Sequence, residues 1–367
     1  MKTKFWTAFS SIEQLDSTFI QRLYNYFGDI ETAFNAKLSD LEQIEGLSVK
    51  KAENFINKRG VNGGVNPDQT LDFVLNKGIK ILTYDDERYP YMLRQISNPP
   101  MVLYYKGDLF SCNLERTVAF VGSRRASLAG KEGVSRIISD LKNTDLCIVS
   151  GLATGIDAIS HKSAIENNLK TIGVIASGFD YIYPSGNKYL YEQIENGCGA
   201  VVTEYYPTFE PMQFRFPQRN RIVTGLSYGT VVGEAAIKSG ALISANLTLE
   251  QGRELMCIPG SINNVNTEGI YKLLKDGATM VTKGEDILNA LGWELPKANN
   301  SLSKVETDDI PEKYLPVFNE VSVEPKSFDE LQIVTGLNTD ELLILLTEME
   351  LQGLIEQSEG ERYRRAI

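Results

Sequence analysis

The sequence is poor in the side chains that most often bind metals or act as nucleophiles. Among 367 residues it has a single histidine, His161, and four cysteines that form no Cys-x-x-Cys pair. Without a second histidine or a nearby cysteine, His161 is expected to have a structural role on a helix face, and no metal site is expected. The dispersed cysteines are typical of small buried side chains in a reducing compartment.

Long apolar runs and catalytic signatures are also missing. No stretch reaches the ~18 apolar residues of a membrane span, and the N-terminal segment MKTKFWTAFSSIEQLD turns polar too soon for a signal peptide. We therefore expect a cytoplasmic protein. The sequence has no Walker loop, no Gly-x-Ser-x-Gly and no Cys/His pair, which predicts a protein that is not an enzyme and uses no cofactor.

The net charge of −11 at first argues against nucleic acid as a ligand. The acidity is concentrated, however, because residues 301–367 carry 6 Lys and Arg against 15 Asp and Glu. Residues 1–100 and 101–300 each have a net charge of only −1. The charge of the whole chain is therefore a poor guide to what its middle part binds.

The chain is expected to contain three folded parts. Residues 1–65 show short helical patterns that weakly resemble helix-hairpin-helix or sterile-alpha-motif-like units, and a plain helical packing module is the favoured alternative. Residues 75–295 are expected to form a Rossmann-like domain with an N-terminal extension, and residues 310–367 a winged-helix-like domain. The polar stretch 296–309 between them is interpreted as a linker.

The segment that joins the first two parts has few regular patterns. Residues 61–69 are interpreted as a loop. Two apolar segments within 78–107, IKILTY and MVLYYKG, are interpreted as a connection docked on the next domain. Tyr89-Pro90 and Pro99-Pro100 lie between them, so a continuous helix is excluded.

From residue 117 onward, strand-like runs alternate with helix-like stretches. The runs are TVAFVG, LCIVSG, TIGVIAS, AVVTEY, TVVGEA, ELMCIPG and ATMVTK. They are apolar on both faces, as in a buried parallel sheet. The pattern predicts an α/β fold with a Rossmann-like, doubly wound, mostly parallel sheet.

Ligands of such sheets bind beyond the carboxyl ends of the strands, so the loops there form the candidate site. These loops share glycines, hydroxyl groups and guanidinium groups, a composition that favours phosphate. The candidate binding residues are Gly122, Ser123, Arg124, Arg125, Ser150, Gly151, Thr154, Gly155, Arg215, Arg219, Asn220, Arg221, Lys238, Ser239 and Gly240. If the loops meet, their arginines are expected to line one groove, although arginines at successive positions cannot all face the same way.

Individual side chains in these loops allow more than one interpretation. Arg124 and Arg125 follow a glycine where a helix should begin, which suits a phosphate, although a surface ion pair is the alternative. Asp157 in a first helical turn either complements the helix dipole or orients an arginine. The rings of GFDYIYPSGN either stack on bases or pack against the domain.

Six motifs in order resemble the DNA-processing protein A family, DprA, also called Smf. They are GSRRAS, SGLATGIDAISH, GFDYIYP, FPQRNRIVTGLS, SGALISA and the Pro-Gly after the sixth strand. The resemblance implies a homodimer that binds and protects incoming single-stranded DNA through its Rossmann-like domain and loads RecA recombinase during natural transformation. It implies no cofactor and no catalysis. The DNA contacts that it implies are Ser123, Arg124, Arg125, Arg219 and Arg221.

The chain departs from this family before FPQRNR. Family members often carry a basic residue there, whereas EYYPTFEPMQF has none before Arg215. Tyr206 or Phe209 is left to stack on a base in this segment.

The C-terminal part resembles the winged helix of many family members. Its predicted third helix, TDELLILLTEMELQG, contains four acidic residues and no basic one. In a major groove it would meet phosphates with charge of the same sign, so we expect it to bind protein, itself or a partner, and not duplex DNA. Its residues Leu342, Leu343, Leu345 and Leu346 are expected mainly in the core.

Two other functions stay open. A nucleotide-processing enzyme of a related fold would use Glu234 at a strand end as its catalytic carboxylate, although the expected PGGxGTxxE pattern is absent. A scaffold that only binds partner proteins would leave the loop arginines unexplained.

Overall fold

The computed structural model describes residues 2–59, 64–294, 311–321, 326–352, 354–358 and 362–365. The chain forms two compact units, residues 1–296 and 297–367. The predicted linker, 296–309, lies outside the described residues. Within the described residues, no helix is long and apolar enough to cross a membrane.

Six helices begin the first unit. They are α1 Thr3–Ser10, α2 Ser17–Phe27, α3 Ile30–Asn35, α4 Leu38–Leu41, α5 Val49–Arg59 and α6 Pro67–Asn76. Aromatic side chains fill their common core, where the rings of Phe9 and Phe55 stack with centroids 4.8 Å apart. Asp16 begins α2 as its N-cap and accepts a 2.9 Å hydrogen bond from the Phe19 amide.

The prediction of a loop over residues 61–69 is wrong at its C-terminal end, where α6 begins. The Asn66 side chain caps this helix by accepting hydrogen bonds from the amides of Asp68 and Gln69 at 3.0 and 3.1 Å. Pro67 occupies the first turn, where its missing N–H costs no hydrogen bond. Residues 61–63 of the predicted loop lie outside the described residues.

A nine-stranded sheet forms the centre of the first unit. Its strands are β1 Lys80–Thr83, β2 Val102–Gly107, β3 Thr117–Val121, β4 Cys147–Ser150, β5 Lys170–Val174, β6 Gly199–Thr203, β7 Gly229–Val232, β8 Glu254–Cys257 and β9 Thr279–Met280. Their spatial order is β1-β2-β6-β5-β4-β3-β7-β8-β9. The seven strands from β3 to β9 are parallel, which confirms the predicted fold class.

The segments predicted as a docked connection are the first two strands of this sheet. β1 pairs antiparallel with β2, and β2 pairs antiparallel with β6. Without them β6 would present unpaired backbone groups at a sheet edge. Their lengths of four and six residues and the prolines between them obscure this role in the sequence.

Helices cover both faces of the sheet. They are α7 Tyr91–Arg94, α8 Leu128–Asp140, α9 Ile156–Glu166, α10 Lys188–Gln193, α11 Arg215–Gly225, α12 Gly240–Glu250, α13 Glu268–Lys275 and α14 Gly284–Ala290. In β3, Val118 and Phe120 pack in the cluster that holds α8 and α14, whereas Ala119 and Val121 pack in the cluster that holds α11 and α12. The sheet is therefore doubly wound.

The point where the sheet reverses its winding lies at β3. β4 flanks it on one side and β7 on the other, and both are parallel to it. Loops that leave neighbouring strands in opposite directions open a crevice at their carboxyl ends. The crevice is here lined by the loops that follow β3, β4 and β7.

The second unit is a winged helix, as predicted. Its elements are α15 Leu315–Phe318, α16 Phe328–Thr335, α17 Thr339–Leu351, β10 Lys326–Ser327, β11 Ile355–Ser358 and β12 Arg362–Arg365. The three strands form an antiparallel sheet in the order β10-β12-β11. Leu342 and Leu346 are buried and Leu345 is half-buried, whereas Leu343 is exposed, so its predicted core position is wrong.

Candidate nucleic-acid interface

A cavity of about 400 Å³ lies in the crevice beyond β3. Nine of the predicted site residues line it: Gly122, Ser123, Arg124, Arg125, Gly151, Arg219, Asn220, Ser239 and Gly240. They come from four separate stretches of the sequence. The structure thus brings most of the predicted loops together at one place.

The loop that carries Arg124 and Arg125 is held by its backbone. The Ser123 amide donates a 2.8 Å hydrogen bond to the Glu234 carbonyl oxygen. The Thr154 hydroxyl donates to the Arg124 carbonyl oxygen, and the Asn266 side-chain amide donates to that of Arg125, both at 3.2 Å. These bonds satisfy the backbone and leave both guanidinium groups available.

Close backbone contacts explain the glycine between β4 and α9. Gly155 has a φ of +81°, and a Cβ there would lie 2.1 Å from the Ser123 carbonyl oxygen. Any other residue would push the Arg124 loop away. Gly155 is therefore a positioning residue that does not itself line the cavity.

Arg124 and Arg125 both have exposed side chains. The Arg124 guanidinium lies over the Phe216 ring, 5.0 Å from its centroid, and the Tyr183 ring lies 5.5 Å from that of Phe216. Within the described residues, no carboxylate forms an ion pair with either arginine. Two free cations beside two accessible rings offer contacts for phosphates and for bases.

Arg219 forms the floor of the cavity. Its side chain is buried, and Nη1 donates a 2.6 Å hydrogen bond to the Val174 carbonyl oxygen. A Cβ on Gly151 would lie 1.7 Å from that nitrogen, so only glycine leaves room for the guanidinium. Nε is buried and has no partner among the described residues. The floor of the cavity is thus cationic and not fully satisfied.

Asp157 is a buried carboxyl group that lines the same cavity and interacts electrostatically with Arg219. Burial raises the pKa of Asp157, and the positive charge of Arg219 opposes that effect. Burial likewise lowers the pKa of Arg219, and the Asp157 charge opposes it. The Asp157 carboxylate accepts a 3.4 Å hydrogen bond from the Ala153 amide, and no ion pair joins it to an arginine among the described residues, so both sequence interpretations stay predictions.

His161 is fully buried one turn further along α9. Its Nδ1 lies 2.7 Å from the Thr171 hydroxyl oxygen. Burial and the charge of Arg219 lower the pKa of His161 to about 3, so the ring is neutral at physiological pH. The expected structural role fits this environment, and the described residues contain no cluster of metal ligands around it.

Three other predicted residues lie outside the main cavity. Ser150 is buried, and its hydroxyl donates a 2.6 Å hydrogen bond to the Phe120 carbonyl oxygen, which leaves it unavailable to a ligand. Lys238 is exposed on the approach to α12 and does not line the cavity. Thr154 lines a smaller adjoining cavity together with Arg124 and Tyr183.

The expectation that all the loop arginines line one groove is wrong for Arg215 and Arg221. Arg215 forms an ion pair with Glu13 and Arg221 one with Glu204, both at 2.6 Å. They line a separate cavity of about 350 Å³ that faces α1 and α2. The reason is the phase of α11, which begins at Arg215.

The phase of α11 separates its polar residues. Phe216 and Asn220 are four positions apart and lie on the flank that faces Arg124. Gln218 and Arg221 are three positions apart and lie on the opposite flank. α11 therefore presents different side chains to the two cavities.

The segment before α11 packs inward. The Tyr206 ring stacks on Phe73 with centroids 5.8 Å apart, and it is buried together with partly buried Phe209 against the N-terminal helices. The expectation that a ring here is free to stack on a base is wrong for Tyr206, whereas for the partly buried Phe209 it stays a prediction. Apolar contacts with helices distant in sequence take precedence here.

Sequence reasoning missed several residues that line the cavities, among them Phe216, Ser244 and Asn266. Phe216 had a usable signal, since it stands one turn before Asn220 in the FPQRNR motif. Ser244 and Asn266 had none, because their positions depend on how α12 and the loop after β8 pack.

The Glu234 carboxylate, buried after β7, is engaged inside the protein. It accepts hydrogen bonds from the Ser127 amide at 2.9 Å and from the Asn264 side-chain amide at 3.0 Å. It also accepts one from the Ser127 hydroxyl, the residue that caps α8. Glu234 therefore fixes the start of α8 and does not line the cavity.

Comparison with known proteins places this geometry in a family. A family model described as DNA recombination-mediator protein A matches residues 80–292, and one described as the DprA winged helix domain matches residues 304–361. The protein Smf of Synechocystis is 32% identical over 98% of this chain and 98% of its own length.

Two solved structures are similar as well. The DNA processing protein A of Streptococcus pneumoniae superposes with a TM-score of 0.69 and 33% identity, covering 80% of this chain and 99% of that one. The protein from Helicobacter pylori, whose single-stranded DNA binding mode is described, has a TM-score of 0.52 and 29% identity, covering 58% and 95%. Together with the fold, the matched family models show that the chain belongs to the DNA recombination-mediator protein A family, whose members are DNA-processing proteins.

Proposed function

We propose that the crevice beyond β3 binds single-stranded DNA. The observation that carries this proposal is the pair of exposed guanidinium groups, Arg124 and Arg125, beside the Phe216 and Tyr183 rings. Phosphates pair with the arginines and bases stack on the rings, so binding tolerates any base sequence. A base must leave its duplex partner to reach such rings, which favours the single strand.

The buried floor of the cavity supports the same ligand. Arg219 carries a cation that no carboxylate neutralises by a direct ion pair among the described residues, and Ser239 has a buried hydroxyl without a hydrogen-bond partner there. Both are able to bind an anion that enters the cavity. The family relative with a described single-stranded DNA binding mode supports the proposal further.

We infer a role in which the bound strand is protected and transferred to RecA recombinase, as in natural transformation. Membership of a family of recombination mediators supports this role. We also infer a homodimer through the Rossmann-like domain. Leu249 on α12 and Met280 on the edge strand β9 are exposed apolar side chains that such an interface would cover.

We further propose that binding occurs without catalysis. The alternative, an enzyme acting on nucleotides, requires an accessible carboxylate at the site, and Glu234 is committed to Ser127 and Asn264. A mononucleotide substrate would raise the melting temperature of the protein with its occupancy. Thermal shift with nucleoside monophosphates distinguishes the two functions.

We infer in addition that the C-terminal unit binds protein and not duplex DNA. α17 carries carboxylates at its exposed positions and no basic residue along its length. Like charges would oppose its entry into a DNA groove.

The proposal is tested by fluorescence anisotropy with labelled oligo-dT and a matched duplex over a salt series. Wild type is expected to prefer the single strand. Arg124→Ala/Arg125→Ala is expected to lose most of this affinity and to reduce the salt slope by roughly 1 to 2, because each phosphate contact contributes about one released counterion.

A matched control removes two cations elsewhere. Arg136 in the second half of α8 and Lys142 just beyond its C-terminal end are exposed, and Arg136→Ala/Lys142→Ala is expected to keep the affinity of wild type. A wild type that ignores single strands at low salt, or two double variants that behave alike, would overturn the proposal.

A further inference from the structure

The outer face of α17 exposes large apolar side chains. Leu343 and Ile344 are 50% and 58% exposed, whereas Leu342 and Leu346 on the opposite face are buried in the core of the unit. Asp340 and Thr347 share the outer face with them, because residues three and four positions apart are neighbours on a helix. This helix is therefore apolar on both of its faces.

The neighbouring helix α16 has the same property. Ile333 and Val334 are 82% and 50% exposed. The Gln332 side chain donates a 3.0 Å hydrogen bond to the Thr339 hydroxyl, which joins the end of α16 to the start of α17. Four large apolar side chains exposed on two adjoining helices of a small unit are typical of a protein contact surface.

Acidic residues surround these apolar positions. The two helices contain Asp329, Glu330, Asp340, Glu341, Glu348 and Glu350 and no lysine or arginine. Glu348 is paired with Lys313 at 2.6 Å, and Glu330 accepts hydrogen bonds from Ser327 in a capping box. Among the described residues, no ion pair occupies Asp340, Glu341 or Glu350, so these three carboxylates remain for a partner.

We propose that this apolar and acidic surface of α16 and α17 binds a basic amphipathic segment of a partner protein. Apolar side chains of the segment pack on Ile333, Leu343 and Ile344, and its lysines or arginines pair with Asp340 and Glu341. This inference rests on the proposed protein-binding role of the C-terminal unit. It adds the chemistry of the partner and the residues that recognise it.

Charge disfavours the other occupants of this surface. A second copy bound through a two-fold axis would place the same acidic residues against each other. Duplex DNA would meet the carboxylates with its phosphates. A basic segment alone satisfies both the apolar contacts and the charge.

The test uses the full chain and a labelled amphipathic peptide of 14 lysine and leucine residues as the probe. Leu343→Ser/Ile344→Ser and Asp340→Asn/Glu341→Gln are each expected to weaken its binding by about tenfold or more. A lysine and serine peptide of equal charge is expected to bind wild type about tenfold more weakly. Circular dichroism shows whether each variant is folded. We expect all of them to fold, because the substituted side chains are exposed.

Matched controls lie in the first unit. Glu42→Gln/Glu45→Gln removes two exposed carboxylates and Ile262→Ser an exposed apolar side chain, and both are expected to bind the probe as wild type does. Equal binding by all variants, or by both peptides, would overturn the inference.

Two further outcomes distinguish a failure of this inference from a failure of the proposed protein-binding role of the C-terminal unit. If Leu343→Ser/Ile344→Ser dissociates a dimer in sedimentation equilibrium without changing probe binding, the occupant is a second copy and only the basic partner is refuted. If the same variant loses affinity for labelled duplex DNA, both proposals fail.

Discussion

At the scale of single residues, the arginines of the site divide according to their partners. Arg215 and Arg221 are neutralised by Glu13 and Glu204, whereas Arg124 and Arg125 have no carboxylate partner in the described residues. The sequence was sufficient to predict that Arg124 and Arg125 line the crevice, because the loop after a buried parallel strand lies at the carboxyl edge of the sheet. It was not sufficient to predict the ion pairs of Arg215 and Arg221, since Glu13, for example, lies 202 positions from Arg215 in the sequence.

Phe216→Ala is expected to weaken single-stranded DNA binding by about 1 to 3 kcal/mol, because a base loses its stacking platform and Arg124 its support. Anisotropy with oligo-dT measures the effect. Phe214→Ala is the control, since Phe214 is exposed on the side of α11 that faces the second cavity. Equal losses in both variants would mean that no base stacks on Phe216.

Gly151→Ala is expected to cost about 1 to 3 kcal/mol of stability and to weaken DNA binding, because the new Cβ displaces the Arg219 guanidinium. Urea denaturation and anisotropy measure the two effects. Gly186→Ala is the control, since a Cβ there has no atom within 4 Å. A Gly151 variant that is as stable as wild type and binds DNA as tightly would refute the close packing of Gly151 against the Arg219 guanidinium.

His161→Gln tests the buried neutral ring. The pKa of His161 is about 3 in the folded protein against an ordinary value of 6.5, so below pH 6.5 the unfolded chain takes up a proton that the folded protein does not. Stability is therefore lost as the pH falls from 6.5, by roughly 2 kcal/mol at pH 5. Urea denaturation at pH 7 and 5 is expected to show a smaller decline in the variant, and parallel declines would contradict the buried ring.

At the scale of secondary structure elements, the parallel strands were predictable and the edges of the sheet were not. The strands from β3 to β9 are apolar on both faces, and a short continuous apolar segment in the sequence is enough to predict such a strand. β1 pairs with β2, and β2 pairs with β6, which lies about a hundred positions further along the sequence than β2. α6 was missed because Gly and Asn before it are typical of a loop, although Asn66 serves as its cap.

Arg221→Ala tests the two flanks of α11. It removes the charged partner of the largely buried Glu204 carboxylate, which keeps a hydrogen bond from the Ser17 hydroxyl, at a cost of about 3 kcal/mol in stability. The folded variant is expected to bind single-stranded DNA within about twofold of wild type, since Arg221 faces the other cavity. Arg116→Ala, which breaks a more exposed ion pair with Asp145, is the control for stability. A loss of DNA affinity in Arg221→Ala that Arg116→Ala does not show would indicate that Arg221 contacts the DNA.

At the scale of the whole molecule, two units with separate cores share one chain. The buried cluster around Tyr314 and Val317 contains only residues of the second unit, and the other clusters only residues of the first. Their charges also differ, because residues 301–367 carry nine of the eleven net negative charges. Composition made this division predictable, whereas no pattern predicted which face of α17 is exposed.

A chain of residues 1–300 is expected to fold and to bind oligo-dT more tightly than the full chain at low salt. Its net charge is −2, from −11 less −9, so phosphates meet less repulsion. The gain is expected to vanish near 0.15 M salt, where screening acts over about 8 Å. An equal gain at all salt concentrations would indicate that the second unit blocks the site by contact.

The backbone bonds around Arg124 and Arg125 have a kinetic consequence. Because Glu234, Thr154 and Asn266 hold the loop in place before any strand arrives, encounter does not wait for a rearrangement. Association in stopped flow should then be a single step whose rate rises linearly with DNA concentration and falls with salt. Differences in affinity among DNA strands are then expected to come from their dissociation rates.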